Sequence, residues 1–226
     1  MKQIFLYAAL LSLLGASPAL ADSAPSTVFD LQNWKLQIPG PKDIANLKNY
    51  FSKYFYLNDK NEICFHLDAA DKGTTANTEY VRSELRHLPN WTVDQTHTLS
   101  ASLHVVSHLN PDKVTVLQIH GMTDDGGNAP PLLRVAVNNG DLVAVIKTDS
   151  EGDHNDTVIL KKGLGNGSVS IQVTVQSKQL TITVDGQQIV SRDIPFWKFL
   201  NYFKAGCYPQ AKHGTADVMF SSLSAN

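Results

Sequence analysis

The chain has 226 residues, a formal net charge of −2 and two cysteines. That length supports one sizeable hydrophobic core, so we expect a single domain. There is no basic run and no interleaving of basic with aromatic residues, which argues against a nucleic-acid-binding protein. A weakly acidic protein does not attract polyanions through its net charge, so such a ligand would need a local positive cleft.

The first 21 residues have the features of a secretory signal peptide. Lys2 supplies a positive charge, Ile4 to Leu14 form an apolar stretch, and Ala19-Leu20-Ala21 is a small-residue cleavage site. The apolar stretch is too short for a comfortable membrane span. We therefore predict a signal peptide over residues 1–21, a mature domain over residues 22–226, and a secreted or periplasmic protein with no membrane partner.

Most of the mature chain consists of short alternating segments separated by turn signals. The pattern is rich in Val, Ile and Thr, and Asn139-Gly140 is a turn signal that tolerates positive φ. The predicted strands include Phe55–Leu57, Ile63–Phe65, Thr98–His108, Leu132–Val137, Leu142–Ile146, Val169–Val175, Leu180–Val184 and Gln188–Val190. Many short strands with turns about every ten residues predict an all-β sandwich or jelly roll.

Four other segments interrupt this pattern. Pro41 to Lys48 and Pro195 to Leu200 are the two candidate short helices. Gly121 to Pro131 and Ser150 to Gly167 are predicted to be long loops, which could be lids over a site or ordinary surface connections.

The two cysteines, Cys64 and Cys207, could form a disulfide in an exported protein. Alternation along its strand turns Cys207 towards the core, where a free cysteine behaves as a small apolar residue. Nothing in the sequence brings Cys64 beside it, so two buried thiols are the favoured interpretation.

Three separate segments place polar side chains at every second position. Successive side chains of a strand point to opposite faces, so each of these sets shares one face. If the three strands are neighbours, their polar side chains form one surface that suits an anionic substrate losing a proton. The sets are Arg82, Glu84 and Arg86, then Gln118 and His120, then Lys204, Tyr208 and Gln210.

Taken singly, each segment has an ordinary structural interpretation. The three charged residues of the first set could be a surface ladder, and a lone histidine is more often structural than catalytic. The other seven histidines are interpreted as structural, and none forms a cluster with metal-ligand spacing, so no metal site is predicted. Pro209 suggests an edge strand or an irregular one.

Together, the segments RSELR (82–86), QIH (118–120) and YFKAGCYPQ (202–210) resemble the signature segments of the alginate lyases of polysaccharide lyase family 7. Phe29 to Leu36 resembles the opening strand of that family. One departure is His87, where the family more often has an acidic residue, and we expect this residue to touch the rim of the site. The resemblance implies a concanavalin-like β-jelly roll with a concave substrate cleft, and makes residues 22–226 an alginate lyase catalytic domain.

The resemblance also implies roles for the polar residues. It assigns catalysis to Arg82, Gln118, His120 and Tyr208, and substrate binding to Glu84, Arg86, Lys204 and Gln210. It implies alginate as the partner of a monomer that needs no cofactor. The expected reaction is β-elimination: a base removes the proton at C5 of a uronate, Arg82 and Gln118 neutralise its carboxylate, and Tyr208 protonates the leaving oxygen.

The choice of base depends on the substrate. A deprotonated Tyr208 could serve where the C5 proton lies on its side, and His120 is the better base for the opposite epimer. In the family, isoleucine in the middle of the Gln-X-His segment accompanies activity on guluronate, so Ile119 favours guluronate or mixed blocks, with endolytic cleavage.

Two other functions fit a sandwich fold. A glycoside hydrolase needs two carboxylates flanking the bond, and the polar surface offers only Glu84 between two arginines. A lectin-like carbohydrate-binding module shares the fold but has no need of a converging tyrosine and histidine.

Overall fold

The computed structural model describes residues 23–40, 43–73 and 79–226. In these ranges the chain forms fourteen strands and one 3₁₀ turn, Pro25–Thr27. The predicted signal peptide lies outside the described residues. Numbered β1 to β14 in chain order, the strands are Trp34–Gln37, Phe55–Leu57, Ile63–Asp68, Ser83–His87, His97–Ser107, Lys113–Met122, Asn128–Asn138, Asp141–Lys147, Asn155–Lys161, Val169–Gln176, Gln179–Val184, Gln187–Asp193, Leu200–Pro209 and Thr215–Ala225.

The strands form two seven-stranded sheets that pack face to face as a jelly roll. The inner sheet has the order β1-β4-β13-β6-β7-β8-β9, and the outer sheet has the order β12-β11-β10-β5-β14-β3-β2. Neighbouring strands are antiparallel throughout the described pairs. This confirms the all-β fold predicted from alternation and turn signals.

The core lies between the sheets because alternate side chains of each strand point inward. On β10, Val169, Ile171, Val173 and Val175 are buried, and the residues between them point outward. Four aromatic side chains at the centre are fully buried, and they come from both sheets: Phe55, Phe65, Phe203 and Phe220. Burial of such large apolar side chains is the main stabilising contribution to the fold.

The hairpins predicted from turn signals are present. β2 pairs with β3, β7 with β8 through the turn at Asn139-Gly140, and β10, β11 and β12 form the predicted meander. Asn139 has φ +50° and Gly140 has φ +81°, the left-handed conformations that this turn requires.

The prediction of helices was wrong for the described residues. Residues 43–48 hold only a bridge between Ile44 and Leu36 and the start of a turn, and residues 195–200 form a turn leading into β13. Both segments carry a proline at their first position, but neither has enough residues to form a stable helix on its own. No helix in the described ranges is long and apolar enough to cross a membrane.

The two predicted loops are also shorter than expected. β6 extends to Met122 and β7 begins at Asn128, so the first connection covers only residues 123–127. The second predicted loop contains the whole of β9, Asn155–Lys161, which forms the edge of the inner sheet. Edge strands carry polar residues on their exposed side, which is why β9 looked like a loop in the sequence.

Strand β13 is irregular but lies inside the sheet, between β4 and β6. Its register against β6 shifts between Ala205 and Tyr208, so that Tyr208 lies opposite Thr115. Gly206, at the shift, has φ +151°, and an added Cβ would lie 2.7 Å from Cα of Glu84. Pro209 is the last residue of this strand, where its missing N–H is tolerated, so the expectation of an irregular strand holds and that of an edge strand does not.

The two cysteines are free and buried, as the sequence favoured. The Cys207 thiol donates to the carbonyl oxygen of Ala216 on β14, across the core. Burial raises the pKa of the Cys64 thiol to about 12, so this residue is unreactive at neutral pH.

Candidate active site

A pocket of about 320 Å³ opens on the concave face of the inner sheet. It lies over the middle strands, so a chain-like ligand could extend to both sides. All four residues predicted to be catalytic line it, although they come from three segments far apart in sequence. The lining consists of Arg82, Gln118, His120, Asn128, Ala129, Pro130, Pro131, Arg134 and Tyr208.

A buried carboxylate organises the floor of this pocket. Glu84 is fully buried and accepts hydrogen bonds from Gln118 Nε2 at 2.6 Å, from Lys204 Nζ at 2.6 Å and from Arg82 Nη1 at 3.3 Å. The register of the sheet brings them together, because Gly206 opposite Glu84 has no side chain and Lys204 lies opposite Gln118. One carboxylate therefore fixes the positions of three functional side chains.

The charges of this floor stabilise one another. Burial opposes the ionisation of Glu84, but the charges of Lys204 and Arg82 outweigh it and hold its pKa below the ordinary value. Burial lowers the pKa of Lys204 to about 8, with Glu84 opposing the shift. Both groups are therefore charged at neutral pH, and with Arg82 the floor carries a net positive charge.

His120 is neutral and presents a defined ring nitrogen. Burial, followed by the charge of Lys204, lowers its pKa to about 4. Its Nδ1 lies 2.9 Å from the carbonyl oxygen of Gly121. A carbonyl only accepts hydrogen bonds, so we assign the proton to Nδ1, which leaves Nε2 with a free lone pair.

Tyr208 is protonated at neutral pH. Burial raises the pKa of its phenol, and the charges of Arg82 and Arg134 oppose that shift without overcoming it. The Arg82 guanidinium lies over the Tyr208 ring, 4.3 Å from its centroid. Arg82 also has a buried Nε with no hydrogen-bond partner among the described residues.

Two residues of this region, Arg134 and Tyr202, were not predicted from the sequence. Arg134 lines the pocket from β7, opposite Gln118, and makes no ion pair or side-chain hydrogen bond with the described residues. Its signal was a single cation within an apolar strand, where charged side chains are rarely buried without a purpose. Tyr202 was also missed, although it belongs to the third polar segment and lies two residues before Lys204.

The wall of the pocket is supported from behind by a loop. Gly152 packs so closely against Pro130 and Trp197 that an added Cβ would collide with the proline ring. Asp149 shapes this loop by accepting backbone hydrogen bonds from residues 151–154. The prolines of β7 are therefore held in place by the second of the predicted loop regions.

The four residues predicted to bind substrate do not belong to the lining. Glu84 and Lys204 are buried beneath it. Arg86 bonds to the turn that follows β4, and Gln210 accepts a hydrogen bond from Thr115 at 2.9 Å. His87 is on the core side against Trp34, with ring centroids 4.7 Å apart, so the expectation that it touches the rim was wrong.

The arrangement is suited to removing a proton from an anionic molecule. It combines cations, a neutral imidazole and a protonated phenol in one concave cleft. No Asp or Glu occurs among the described residues that line the pocket, and the described ranges hold no group of three or more His, Cys, Asp or Glu residues that could bind a metal. Hydrolysis by two flanking carboxylates is therefore not supported. The fold and site define an enzyme that acts on anionic polysaccharide by proton transfer.

Comparison with known proteins agrees with this class of enzyme. The family model described as alginate lyase matches residues 29–226. An alginate lyase of Photobacterium sp. is 30% identical over 84% of this chain and 81% of its own length. A family 7 alginate lyase, A1-II′, solved in complex with the product GGG, is 32% identical with a TM-score of 0.84, covering 91% of this chain and 99% of its own. The same lyase in complex with the substrate GGMG is 33% identical with a TM-score of 0.81, covering 90% and 96%.

The chain belongs to the alginate lyases of polysaccharide lyase family 7. It is a polysaccharide lyase, as the resemblance of its three polar segments predicted, and the hydrolase and lectin alternatives are set aside.

Proposed function

We propose that this alginate lyase binds the polymer across its inner sheet and cleaves it endolytically by β-elimination, with His120 as base and Tyr208 as acid. The observation that carries the proposal is the convergence of Arg82, Gln118, His120 and Tyr208 on one pocket. Its position over the middle strands supports internal cleavage, because a chain crossing the sheet can continue on both sides.

The first requirement is neutralisation of the uronate carboxylate. Removing the proton at C5 places further negative charge next to an existing carboxylate. Arg82 supplies its positive charge at the pocket, and Gln118 keeps a second N–H because only one of its two donors is needed by Glu84. Preorganised donors of this kind stabilise such a transition state by about 3–4 kcal/mol each.

Glu84 and Lys204 act from below in this scheme. Glu84 accepts hydrogen bonds from Gln118 and Arg82 and holds them in position before substrate arrives, and Lys204 donates to the same carboxylate. Lys204 adds positive charge beneath the pocket and favours the neutral form of His120. Their contribution to substrate binding is therefore electrostatic and positional.

The elimination itself moves one proton to the base and one from the acid. His120 Nε2 takes the C5 proton, and the electrons of that bond form a double bond between C4 and C5. The bond from C4 to the glycosidic oxygen breaks, and Tyr208 donates its phenol proton to that oxygen. The raised pKa of Tyr208 supports its role as acid, and the lowered pKa of His120 keeps it available as base. For the epimer with its C5 proton on the other side, Tyr208 would have to lose its phenol proton before acting as base, and its raised pKa opposes this.

We further propose that Arg134 binds the carboxylate of a neighbouring sugar. Alginate carries a carboxylate on every sugar unit, so a cleft needs a cation for each unit that it binds. Arg134 lines the pocket without an ion-pair partner among the described residues, and its planar fork suits a carboxylate.

The preference for guluronate or mixed blocks is supported by Ile119. This side chain is fully buried and faces the core between Gln118 and His120, so any effect on specificity would arise from how it positions those neighbours. The chain is also proposed to act outside the cytoplasm as a monomer.

The test uses polymannuronate, polyguluronate and mixed-block alginate as separate substrates. Ultraviolet absorbance of the unsaturated product would demonstrate elimination, and product sizes over time would distinguish endolytic from exolytic action. Early accumulation of mixed oligosaccharides from guluronate-containing polymer supports the proposal. Release of a single small product from the start would contradict endolytic cleavage, and faster turnover of polymannuronate would contradict the block preference.

A further inference from the structure

Three side chains form a stack beside the pocket. The rings of His120 and Tyr202 are nearly parallel, at 14°, with centroids 5.1 Å apart. On Tyr202 the guanidinium of Arg86 lies 4.1 Å from the ring centroid. The phenol oxygen of Tyr202 lies 3.1 Å from Nδ1 of His120. Arg86 and His120 therefore both contact the same tyrosine.

The Arg86 end of this stack is fixed by the turn after β4. Its Nη1 donates to the carbonyl oxygens of His87 at 3.0 Å and Leu88 at 2.9 Å, and its Nη2 donates to Asn90 Oδ1 at 2.8 Å. Arginine with its donors engaged in this way has little left for a substrate carboxylate. It also lies outside the lining of the pocket.

At the other end of the stack, Tyr202 restrains the orientation of the His120 imidazole. Nδ1 contacts two oxygens, the Gly121 carbonyl and the Tyr202 hydroxyl, and the stacked ring prevents rotation about the side-chain bond. A ring turned by 180° would exchange Nδ1 with Cδ2 and Nε2 with Cε1, so that carbon instead of nitrogen would face these oxygens. The stack therefore keeps Nδ1 at the Gly121 carbonyl and holds Nε2 in its present direction.

We propose that Arg86 and Tyr202 are positioning residues: Arg86 holds the Tyr202 ring against His120, and the stacked Tyr202 ring keeps the imidazole in the orientation in which Nδ1–H donates to the Gly121 carbonyl and Nε2 is free. This inference rests on the proposed role of His120 as base, and it gives Arg86 a different role from the substrate contact that its sequence segment suggested. A cation over an aromatic ring is attracted by the ring face, which explains how Arg86 retains Tyr202.

The two roles of Arg86 predict different kinetics. Arg86→Met keeps much of the side-chain volume but removes the guanidinium. If Arg86 positions His120 through Tyr202, kcat falls about tenfold and KM stays within about twofold, near the lower end of the about 10–100-fold losses seen when groups orienting metal-bound histidines are removed. If Arg86 binds a substrate carboxylate, KM rises at least about fivefold while kcat is largely kept, which would overturn the proposal.

A double-variant cycle tests whether the two residues act as a unit. Tyr202→Leu removes the stacked ring, and the combined Arg86→Met and Tyr202→Leu variant should lose no more kcat than Tyr202→Leu alone. Multiplying losses would show independent roles and contradict the proposal. Arg192→Met, which removes an arginine paired with Asp156 far from the pocket, is the matched control and should leave kcat and KM unchanged.

A further variant covers the case in which Arg86→Met does not fold. Asn90→Ala removes one acceptor from the guanidinium at an exposed position, so the fold should be kept. We expect kcat to fall about threefold with KM unchanged, because the guanidinium loses part of its restraint. Unchanged kcat in both Asn90→Ala and Tyr202→Leu would overturn the proposal.

Nitrogen-15 NMR of the full-length protein reads the same arrangement without substrate. The imidazole signals of His120 are identified by their absence in His120→Asn. At pH 7 they should show a proton on Nδ1 in the parent and a mixture of both tautomers in Tyr202→Leu. A parent with its proton on Nε2 would overturn the proposal whatever the kinetics. Retained activity in His120→Asn, with the expected tautomers, would instead contradict the proposed base and leave the stack established.

Discussion

Strand β10 of the outer sheet and strand β13 of the inner sheet both turn some side chains away from the core, yet the faces that these side chains form differ. On β10 those residues are uncharged: Ser170 and Thr174 meet hydroxyls of Ser102 and Thr98 at 2.8 and 3.2 Å. On β13 they include Lys204, buried against Glu84, and Tyr208, beneath Arg82. The hydroxyls of β10 pair with hydroxyls of the neighbouring strand β5, whereas β13 places a buried cation and a phenol at the pocket.

Backbone regularity follows the same division. β10 pairs with β5 and β11 without a shift in register, but β13 and β6 each have irregular pairing near the pocket. The irregularity on β13 needs Gly206, because a side chain there would collide with β4. The comparison indicates that the inner sheet accepts irregular pairing and buried charge in order to organise the site.

The largest effect on activity should follow from removing the phenol oxygen of Tyr208 on β13. Tyr208→Phe should lower kcat by a factor of about 10²–10⁴, the usual effect of losing a proton-transfer group, while KM changes little. The measurement is the initial rate of absorbance increase on alginate. A rate within threefold of the parent would rule out Tyr208 as the acid.

The next effect concerns the charge that the inner sheet buries. Glu84→Gln leaves Lys204 without its counter-charge, and removing one partner of a buried pair costs about 3–5 kcal/mol of the free energy of unfolding. Chemical denaturation at pH 7 should show this loss. Burial lowers the pKa of Lys204 to about 8 in the parent and Glu84 opposes this shift, so in the variant the amine loses its proton below that pH. The loss of stability relative to the parent should therefore be smaller at pH 9, where Lys204 is mostly neutral in both proteins. Equal losses at pH 7 and pH 9 would contradict the buried-pair account.

The pH dependence of kcat/KM should reflect the burial of His120. The base must be unprotonated, so activity is lost as pH falls through its pKa of about 4, about tenfold per pH unit below that value. Between pH 6.5 and 4 the unfolded chain binds a proton that the folded His120 does not, so stability falls over this window while activity persists. A midpoint near 6.5 in kcat/KM would show that His120 is not buried in the free enzyme, and thermal melts at each pH would separate unfolding from titration.

A smaller effect, on substrate binding, is expected from removing the charge of Arg134. Arg134→Gln should raise KM about tenfold, equivalent to about 1.4 kcal/mol of binding, with a modest change in kcat. Lys178→Gln is the control, because it removes the same charge from a turn of the outer sheet, where Lys178 pairs with Asp94. Equal changes in both variants would mean that overall charge, and not the pocket, governs binding.

The smallest effect should come from the outer sheet. Ser170→Ala removes an exposed hydroxyl that bonds only to another serine, so kcat and KM should stay within about twofold and stability within about 0.5 kcal/mol. A tenfold loss of activity on polymer, absent on short oligosaccharides, would reveal a role in polymer binding for the outer sheet and remove the contrast between the two strands.

The site could be predicted as far as strand alternation allows. Because every second residue shares a face, the sequence grouped Arg82 with Glu84 and Gln118 with His120, and the family resemblance joined the three segments. Strand alternation does not indicate how deeply a side chain is buried beneath the pocket. It could not tell that Glu84 and Lys204 lie beneath the pocket and Arg82 at its surface, because that depends on which strands are neighbours.

Most of the strands, their turns, the family and the four residues that meet in the pocket could be predicted from the sequence, because these depend on local pattern and on motif identity. The remaining features required the packed fold. It turned a predicted loop into strand β9, placed Arg134 in the lining, engaged Arg86 with its own turn, and brought Tyr202 against His120. Each depends on contacts between residues distant in sequence, and those contacts arise only when the two sheets have paired and packed.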